Sequence, residues 1–351
     1  MIENDHIKYM KRCLELASKA EGLTYPNPMV GSVIVNEGKI IGEGFHLRAG
    51  EPHAEVNAIN SVSDKSLLKN STLYVNLEPC SHFGKTPPCA DLIIASNIPK
   101  VVIGAVDTSD KVSGKGIEKL RESGCEILIN ILEEKCRYLN RRFFTSIEKN
   151  RPYVVLKWAQ SSDGFIDIIR ESEHPIAPTA ITGASEKSLV HKWRSEEQAI
   201  LVGAETVRSD NPQLNVREWI GAQPIRIILS RSGHLDNNSS VFGPDGHWLI
   251  FTTATANDSK NKQIISIDSS QPASVQVLEY LYSKDIQSVF IEGGAQVLNH
   301  FIETGLWDEA RVFTAKIKFG TGIKAPVLTA TQSAKTVILS GSSLDLCYNK
   351  S

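Results

Sequence analysis

Two cysteines flank a polar loop in the stretch LEPCSHFGKTPPCADLII, residues 77–94. Cys80 follows a single proline, and Cys89 comes after eight intervening residues that end in a pair of prolines. Upstream, the stretch HAEVNAI places His53 two residues before Glu55. One imidazole and two thiolates suit Zn²⁺ and leave a fourth coordination position open for water. The sequence therefore predicts a zinc site held by His53, Cys80 and Cys89.

Glu55 is close enough to the predicted ligand His53 to move protons without binding the metal itself. Bound zinc lowers the pKa of water from about 16 to near 7, which makes hydroxide available at neutral pH. His-x-Glu followed by Pro-Cys and a second Cys is the signature of zinc nucleobase deaminases, although the gap between the cysteines is longer here. The alternative is a closed structural site with His82 as fourth ligand. Glu55 argues against it, because a closed site has no use for a proton carrier.

Length and composition describe an ordinary globular chain. The 351 residues suggest two domains, at roughly 100–200 residues each. The net charge of -2 gives no basic field that would attract nucleic acid or an anionic membrane. The charged N-terminus is not a signal peptide, and no window reaches the roughly 18 apolar residues of a spanning helix. We therefore expect a cytoplasmic protein with small-molecule substrates and no nucleic-acid or membrane partner. The sequence leaves open whether the protein forms a homo-oligomer.

Helical and strand patterns alternate along the chain, which predicts a layered α/β architecture. In the first part, helices are predicted at residues 5–21 and in HAEVNAI, PPCADLIIAS, GIEKLRES and LEEKCRYLNRRFF, with strands in MVGSVIVNEGKIIGEGF, STLYVNL, KVVIGAV and CEILIN. The charged stretch SIEKNRP suits a linker. A second run follows, with strands in YVVLKWA, QAILVG, IRIILS, HWLIFTT and SVFIEGG and helices in SEKSLVHKWRSE, VQVLEYLYS and AQVLNHFIETG. The predicted domains are residues 1–147 and 151–351.

The motifs YPNPMVG, HAEVNAI and EPCSHFGKTPPC together resemble the deaminase half of the bifunctional riboflavin-biosynthesis deaminase–reductases. The stretches VVLKWAQSSDGFI, HKWRSEEQAILVGAETVRSDNPQLNVR and VFIEGGAQVLNHFI are similar to the reductase half of the same family. The resemblance implies a cytidine-deaminase-like α/β/α domain followed by a dihydrofolate-reductase-like α/β domain. It also implies two reactions, each with its own cofactor. In the first, which uses zinc, a diaminopyrimidinone bearing a phosphoribosylamino group loses a ring amine by hydrolysis. In the second, NADPH reduces the opened ribose to a ribityl chain.

Four residues are implied as contacts of the deaminase substrate. Asn27, in YPNPMVG, can pair with the polar edge of a pyrimidine, although on chemistry alone it is as readily a turn-forming asparagine. His46 is a second implied contact. Lys85 and Thr86, in the cysteine loop, suit the substrate phosphate, and the alternative for Lys85 is a solvated loop lysine.

The resemblance implies a separate set of residues for the reductase half. Its substrate contacts would be Lys157, Arg194, Leu214, Arg217 and Glu292. Arginine suits a phosphate because its planar fork donates two hydrogen bonds. The strand, Gly-Gly turn and helix of FIEGGAQVLNHFI could seat a phosphate at the helix N-terminus, although Gly-Gly alone is a weak signal. The implied cofactor contacts are Ala159, Thr206, Asp210, Gly293, Gly294, Ala295, Gln296, Val297 and Leu298.

Two stretches depart from the family pattern, and both lie on the expected cofactor side. The chain has APTA ahead of ITGAS, where the family usually carries a polar and an aromatic residue. It has Ser230 and Arg231 after the strand IRIIL, where an Asp-Ser-like pair is common. These departures leave the preference for NADPH over NADH open, with Arg231 as a candidate partner for the 2′-phosphate.

Two rival functions remain to be weighed. One is a cytidine-type or tRNA adenosine deaminase with an appended domain, which does not explain the stretch GAETVRSDNPQLNVR, and the net charge also argues weakly against a tRNA substrate. The other is a non-enzymatic zinc-stabilised sensor or scaffold, against which Glu55 argues. Ammonia release from a diaminopyrimidine nucleotide, compared with cytidine, would separate the three.

Overall fold

A computed structural model describes residues 2–81, 87–109, 113–170, 177–243, 246–254, 262–328 and 331–350. The chain divides into two compact units, Met1–Asn150 and Arg151–Ser351. Within the described residues, no helix combines the length and the apolar character that crossing a membrane would need.

The first unit is a mixed sheet between helices. Its elements, as described, are α1 (Ile2–Ser18), β1 (Gly31–Asn36), β2 (Lys39–Phe45), α2 (Ala54–Ser61), a 3-10 helix (Lys65–Asn70), β3 (Thr72–Leu77), α3 (Cys89–Ala95), β4 (Lys100–Ala105), α4 (Lys115–Glu122), β5 (Glu126–Leu128), α5 (Glu133–Leu139) and α6 (Arg141–Lys149). The strand order is β2-β1-β3-β4-β5. The strand β1 runs antiparallel to β2 and β3, whereas β3, β4 and β5 are parallel.

Alternating side chains of the central strands point to opposite faces of this sheet, as the pleat requires. Ile34 packs with α2, α3 and α4 in one buried cluster. Its neighbour Val33 packs with α1, α5 and α6 in another. The result is the α/β/α layering that the family resemblance implies. Cys13 and Cys136 are fully buried in the second cluster, as expected for small hydrophobic residues.

Glycines let α2 approach the sheet closely. A Cβ atom at Gly44, in β2, would overlap the backbone of Ala54 and Ala58 in α2. A Cβ atom at Gly42 would lie only 2.6 Å from the carbonyl oxygen of Ala58. The close packing fixes the position of α2, which carries Glu55 in its first turn.

The single helix predicted for LEEKCRYLNRRFF is wrong, because the structure breaks it between α5 and α6. Asn140 lies at the break, and its side chain is used in a distant contact. Its Oδ1 accepts from the backbone amide of Met29 at 2.7 Å, and its Nδ2 donates to the carbonyl of Met29 at 2.9 Å. These two bonds anchor the loop that carries Asn27. The periodicity of the sequence predicts a continuous helix through Asn140 and gives no sign of this contact.

The second unit is built on a larger sheet. Its elements, as described, are β6 (Tyr153–Gln160), β7 (Phe165–Asp167), α7 (Ala184–Glu196), β8 (Ala199–Gly203), α8 (Ala204–Asp210), β9 (Ile225–Leu229), a 3-10 helix (Ser240–Phe242), β10 (Trp248–Thr252), β11 (Lys262–Ser266), α9 (Ala273–Tyr282), β12 (Ser288–Ile291), α10 (Ala295–Glu303), β13 (Glu309–Ala315), β14 (Ile323–Lys324), β15 (Thr331–Ile338) and β16 (Ser342–Asn349). The main strand order is β11-β10-β9-β8-β12-β6-β13-β16-β15. Strands β11 through β13 are parallel, and β16 and β15 join antiparallel at the edge.

The last strands of this unit are absent from the sequence prediction. The prediction ends with the helix AQVLNHFIETG, whereas β13, β15 and β16 complete one side of the sheet. The edge strands β15 and β16 mix polar and apolar residues without a clear alternation, and their pairing with β13 forms them. The predicted core strands β6, β8, β9, β10 and β12 are all present.

Candidate functional site

Helix starts and a strand end bring the three predicted zinc ligands together in the first unit. His53 immediately precedes α2, and Cys89 is the first residue of α3. Cys80 follows the carboxyl end of β3 by three residues. The Nδ1 atom of His53 lies 3.6 Å from the Sγ of Cys80 and 3.3 Å from the Sγ of Cys89. Among the described residues, these three ligand atoms lie within 4.8 Å of one another.

The two thiols are electrostatically inequivalent. A hydrogen bond from the thiol of Cys89 is the main reason that the pKa of Cys80 falls to about 4. The same bond, together with burial, raises the pKa of Cys89 far above its ordinary value. The backbone amide of Cys89 also donates to the Sγ of Cys80 at 3.3 Å, as a helix N-terminus can do for a thiolate. The pair therefore shares one proton, and metal binding displaces such a proton.

The donor set fits zinc. One imidazole nitrogen and two cysteine sulfurs converge from three segments, and this combination leaves room in a tetrahedron for water. Glu55 is 3% exposed, and burial raises its pKa to about 7. A carboxylate with this pKa can both accept and release a proton near neutral pH. His82, the alternative fourth ligand, lies outside the described residues, as do Lys85 and Thr86.

The two other predicted deaminase contacts lie beside the zinc ligands. The Nδ2 atom of Asn27 is 3.0 Å from the Nε2 atom of His46. The Nδ1 atom of His46 is 3.2 Å from the carbonyl oxygen of Pro52, so Nδ1 carries the proton and Nε2 accepts from Asn27. The rings of His46 and His53 meet edge to face, with centroids 5.3 Å apart. Burial lowers the pKa of His46, which keeps this ring neutral.

Glu78 is a structural anchor of this site that the sequence reasoning missed. It is 4% exposed and lies between β3 and Cys80. Its carboxylate accepts four backbone hydrogen bonds, from Asp107 at 3.3 Å, Gly114 at 3.1 Å, Gly116 at 3.0 Å and Ile117 at 3.2 Å. The carboxylate thus holds the N-terminal turn of α4 against the turn that leads to Cys80. The only sequence signal is an acidic residue just after a buried strand.

A cleft of about 880 Å³ opens at the carboxyl ends of β8, β9 and β12 in the second unit. Ligands of parallel α/β sheets bind at such strand ends. Gly203 and Gly294 precede α8 and α10, and the amide of Gly294 donates to the Oγ1 of Thr206 at 2.9 Å. A Cβ atom at Gly293 would lie 3.1 Å from the amide nitrogen of Gly203, so these turns pack tightly. The N-terminus of α10 offers free backbone amides to a phosphate, which fits a dinucleotide.

Most of the predicted cofactor contacts line this cleft. Those that do are Thr206, Asp210, Gly293, Gly294, Ala295, Gln296 and Val297. Ala159 and Leu298 are not among the lining residues, and the side chain of Leu298 is fully buried in the core. Asp210 is already engaged, since its Oδ1 accepts from Arg170 at 3.0 Å and from Ser209 at 2.9 Å. Sequence reasoning did not anticipate Arg170 at this position.

Three of the five predicted reductase substrate residues, Lys157, Arg194 and Glu292, form a buried charge cluster beside the cleft. Glu292 lines the cleft and accepts two bonds from Arg194, at 2.7 Å from Nε and 2.9 Å from Nη2. The Nη1 of Arg194 donates to the carbonyl of Asn215 at 3.1 Å. Lys157 lies 3.8 Å from Glu292, and burial lowers the pKa of its ammonium group. The guanidinium of Arg194 is therefore committed to Glu292, because a carboxylate is the strongest partner within reach.

The other two residues of this set differ from each other in exposure. Leu214 is 2% exposed and has a backbone φ of 54°, so it shapes a turn rather than presenting a polar group. The side chain of Arg217 is 48% exposed, and its Nη1 donates to the Oδ1 of Asn215 at 3.1 Å. Of the two arginines, Arg217 is the one with donors still available to a phosphate.

Comparison with known families matches both units. Residues 3–105 match the cytidine and deoxycytidylate deaminase zinc-binding region, and residues 152–344 match the RibD C-terminal domain. The riboflavin biosynthesis protein RibD of Aquifex aeolicus is 40% identical, over 92% of this chain and 90% of that protein. The RibD protein of Escherichia coli is 32% identical, over 89% of this chain and 88% of that protein.

Solved structures agree with this assignment. The diaminohydroxyphosphoribosylaminopyrimidine deaminase/5-amino-6-(5-phosphoribosylamino)uracil reductase of Thermotoga maritima is 36% identical, with a TM-score of 0.89 over 99% of this chain and 100% of that one. A RibD structure from Acinetobacter baumannii is 31% identical, with a TM-score of 0.88 over 99% of this chain and 100% of that one.

Fold and sites define a bifunctional enzyme that joins a zinc-dependent deaminase to a pyridine-nucleotide-dependent reductase. The chain belongs to the RibD family of riboflavin biosynthesis proteins. The match of the second unit excludes the rival in which a cytidine-type deaminase carries an unrelated domain, and family membership excludes a non-enzymatic scaffold.

Replacing Glu78 with Gln should destabilise the first unit. The substitution keeps the size but turns one acceptor oxygen into a donor that faces backbone amides. Hydrogen bonds to charged groups contribute about 1.5–3 kcal/mol, and we expect a loss of that size in the free energy of unfolding. Urea unfolding measures it, and Glu122→Gln, at the exposed end of α4, is the matched control. Equal stabilities for the two variants would show that the four amide bonds do not anchor the turn.

Proposed function

We propose that this chain catalyses two consecutive reactions of riboflavin biosynthesis, the deamination assigned to residues 1–147 and the reduction to residues 151–351. The substrate of the first is a diaminopyrimidinone bearing a phosphoribosylamino group, which loses its ring amine as ammonia. The ribosyl group of the deaminated product is then reduced to a ribityl chain. The convergence of His53, Cys80 and Cys89 beside buried Glu55 is the observation that carries this proposal. The similar protein from Thermotoga maritima is a diaminohydroxyphosphoribosylaminopyrimidine deaminase/5-amino-6-(5-phosphoribosylamino)uracil reductase, which supports the choice of substrate, and the similar Aquifex aeolicus protein supports the pathway.

Glu55 is assigned the proton transfers of the deamination. Zinc held by His53, Cys80 and Cys89 supplies the Lewis acidity that makes water nucleophilic at neutral pH. The carboxylate of Glu55 takes a proton as the water oxygen bonds to the ring carbon that bears the amine. It gives this proton to the ring nitrogen, then takes the second proton from the hydroxyl now on the ring carbon and passes it to the departing amine. The carbonyl forms as the carbon–nitrogen bond breaks and ammonia leaves. A pKa of about 7 suits a group that must do both.

Asn27 and His46 are assigned to orient the pyrimidine. The hydrogen bond from Asn27 to the neutral ring of His46 fixes the amide of Asn27 next to the zinc ligands. An amide held in this way presents a fixed polar edge to a planar heterocycle. Lys85 and Thr86 are proposed to hold the substrate phosphate, on the family resemblance of the loop between the cysteines.

The reduction is assigned to the cleft of the second unit and to Lys157 and Glu292 at its edge. NADPH supplies the hydride. Opening of the ribose ring and reduction at its first carbon also require a proton, which Lys157 is placed to donate while Glu292 stays ionised beside it. Burial lowers the pKa of Lys157 and so makes its ammonium a better acid. Arg217 is proposed to bind the phosphate, while Arg194 holds Glu292 in place.

We propose a cytoplasmic enzyme whose partners are small phosphorylated pyrimidines, with no nucleic-acid partner. The net charge of -2 supports the last point, since a nucleic-acid enzyme of this size usually presents a basic face. A homo-oligomer is proposed as its state in solution, on family resemblance alone.

Replacing Glu55 with Gln should separate the two activities. The variant lacks the proton carrier, so ammonia release from the diamino substrate should fall by about 10⁴-fold, the upper end for general acid–base groups. Zinc content should be unchanged because Glu55 is not a ligand. Oxidation of NADPH, followed at 340 nm, should persist when the deaminated substrate is supplied and should nearly vanish with the diamino substrate. Glu122→Gln serves as the control with both activities intact.

Two outcomes would contradict this assignment in different ways. Loss of NADPH oxidation with the deaminated substrate, in a folded Glu55→Gln protein, would refute two separate sites. Full ammonia release by the same variant would refute the proton-carrier role of Glu55.

The two arginines of the reductase half should respond differently to alanine. Arg217→Ala should raise the KM for the deaminated substrate about 10–150-fold with little change in kcat, because a phosphate contact is equal in ground and transition states. Arg194→Ala should instead lower the free energy of unfolding by about 3–5 kcal/mol, since it leaves a buried carboxylate without its partner. Steady-state kinetics and urea unfolding distinguish them, with Arg217→Lys testing the need for the fork. An unchanged KM in Arg217→Ala would remove that residue from the phosphate site.

A further inference from the structure

The cleft of the second unit continues past the Gly-Gly turn to the ends of β9 and β10. Leu229, Ser230, Arg231 and Ser232 line it after β9, and Thr253 lines it after β10. The strand order places β9 two positions from β12. At roughly 4.8 Å per strand, the end of β9 lies about 10 Å from the turn at Gly294. A dinucleotide with its pyrophosphate at α10 would reach this end of the cleft with its adenosine.

The turn that carries Arg231 is held firmly by its main chain. The carbonyl oxygen of Arg231 accepts from the Oγ1 of Thr252 at 3.0 Å and from the Oγ1 of Thr253 at 3.1 Å. The hydroxyl of Ser230 accepts from the amide of Gly233 at 3.1 Å, and Gly233 has a φ of 69°. The backbone is thus fixed while the side chain of Arg231 is exposed in the cleft.

The acidic residues that line the cleft are all paired with other arginines. Asp167 and Asp210 pair with Arg170 at 3.1 and 3.0 Å. Glu292 pairs with Arg194 at 2.7 Å. The fourth carboxylate, that of Glu205, pairs with Arg208 at 3.1 Å.

Arg231 therefore stands apart from the other charges of the cleft. Within the described part of the chain, no ion pair or side-chain hydrogen bond engages its guanidinium. Its neighbours along the turn are Ser230 and Ser232, so the strand end lacks the carboxylate that would favour the free 2′-hydroxyl of NADH. An unpaired arginine at this place suits a phosphate on the adenosine ribose instead.

We propose that Arg231 binds the 2′-phosphate of the adenosine ribose and so sets the preference of this reductase for NADPH over NADH. The proposal rests on the proposed reductase function and adds the residue that discriminates between the two cofactors. It assigns a role to a position at which the chain departs from the Asp-Ser-like pair common in its family.

Two adenosine nucleotides test this directly, without turnover. Adenosine 2′,5′-bisphosphate carries the 2′-phosphate, and 5′-AMP lacks it but is otherwise the same. Calorimetry on the full-length zinc-loaded protein should show that Arg231→Ala weakens binding of the bisphosphate about 10–150-fold, the range for a charge-assisted contact, and leaves 5′-AMP unchanged. Arg231→Lys should retain part of the affinity because it keeps the charge and loses the fork. The ratio of kcat/KM for NADPH to that for NADH should fall by the same factor as the bisphosphate affinity.

Several results would overturn the proposal. If Arg231→Ala weakened the binding of both nucleotides equally, or changed the binding of neither, Arg231 would not be the residue that recognises the 2′-phosphate. A selective loss in Arg208→Ala instead would assign that phosphate to Arg208. If Arg231→Ala left the ratio of kcat/KM for NADPH to that for NADH unchanged and still reduced the deaminated substrate, only the role assigned to Arg231 would be wrong. If the unaltered protein bound neither nucleotide and did not oxidise NADPH with that substrate, the reductase function would be wrong as well.

Discussion

The convergence of one imidazole nitrogen and two cysteine sulfurs is the interaction on which the first unit depends. His53, Cys80 and Cys89 come from three separate segments, and their ligand atoms lie within 4.8 Å of one another. Two thiolates at this spacing repel each other unless a proton or a cation lies between them. The close approach of α2 at Gly42 and Gly44 and the four amide bonds to Glu78 both serve to hold these donors in place.

The second unit holds many charges around its cleft. The described carboxylates that line the cleft are paired with arginines, and the glycine turns bring the ends of β8 and β12 close together. Pairing keeps Glu292 ionised beside the lysine that shares its pocket, since the charges of Arg194 and Lys157 hold the pKa of this buried carboxyl at about 2. A site of this kind binds an anionic cofactor through backbone amides and a few unpaired cations rather than through an overall positive field.

The sequence predicts the parts of this enzyme that depend on local pattern and misses those that depend on distant contacts. The zinc ligands, Glu55 and the Gly-Gly turn are recognisable because their chemistry lies in short stretches with characteristic spacing. Asn140 breaks a predicted helix to bond Met29, 111 residues away, and Arg194 spans 98 residues to reach Glu292. The edge strands β15 and β16 were missed because pairing, rather than their own alternation, forms them. Tertiary contacts of this kind leave no periodic trace in a single sequence.

X-ray absorption at the zinc edge, on protein purified without added metal, would show whether these three residues hold an open zinc site. We expect about one zinc per chain, with two sulfur neighbours near 2.3 Å and one nitrogen near 2.0–2.1 Å, and an exchangeable oxygen as the fourth neighbour. A Cys80→Ser protein should lose one of the two sulfur neighbours or the metal itself. Absence of zinc, or a shell closed by a second nitrogen with no oxygen, would contradict an open catalytic site at His53, Cys80 and Cys89.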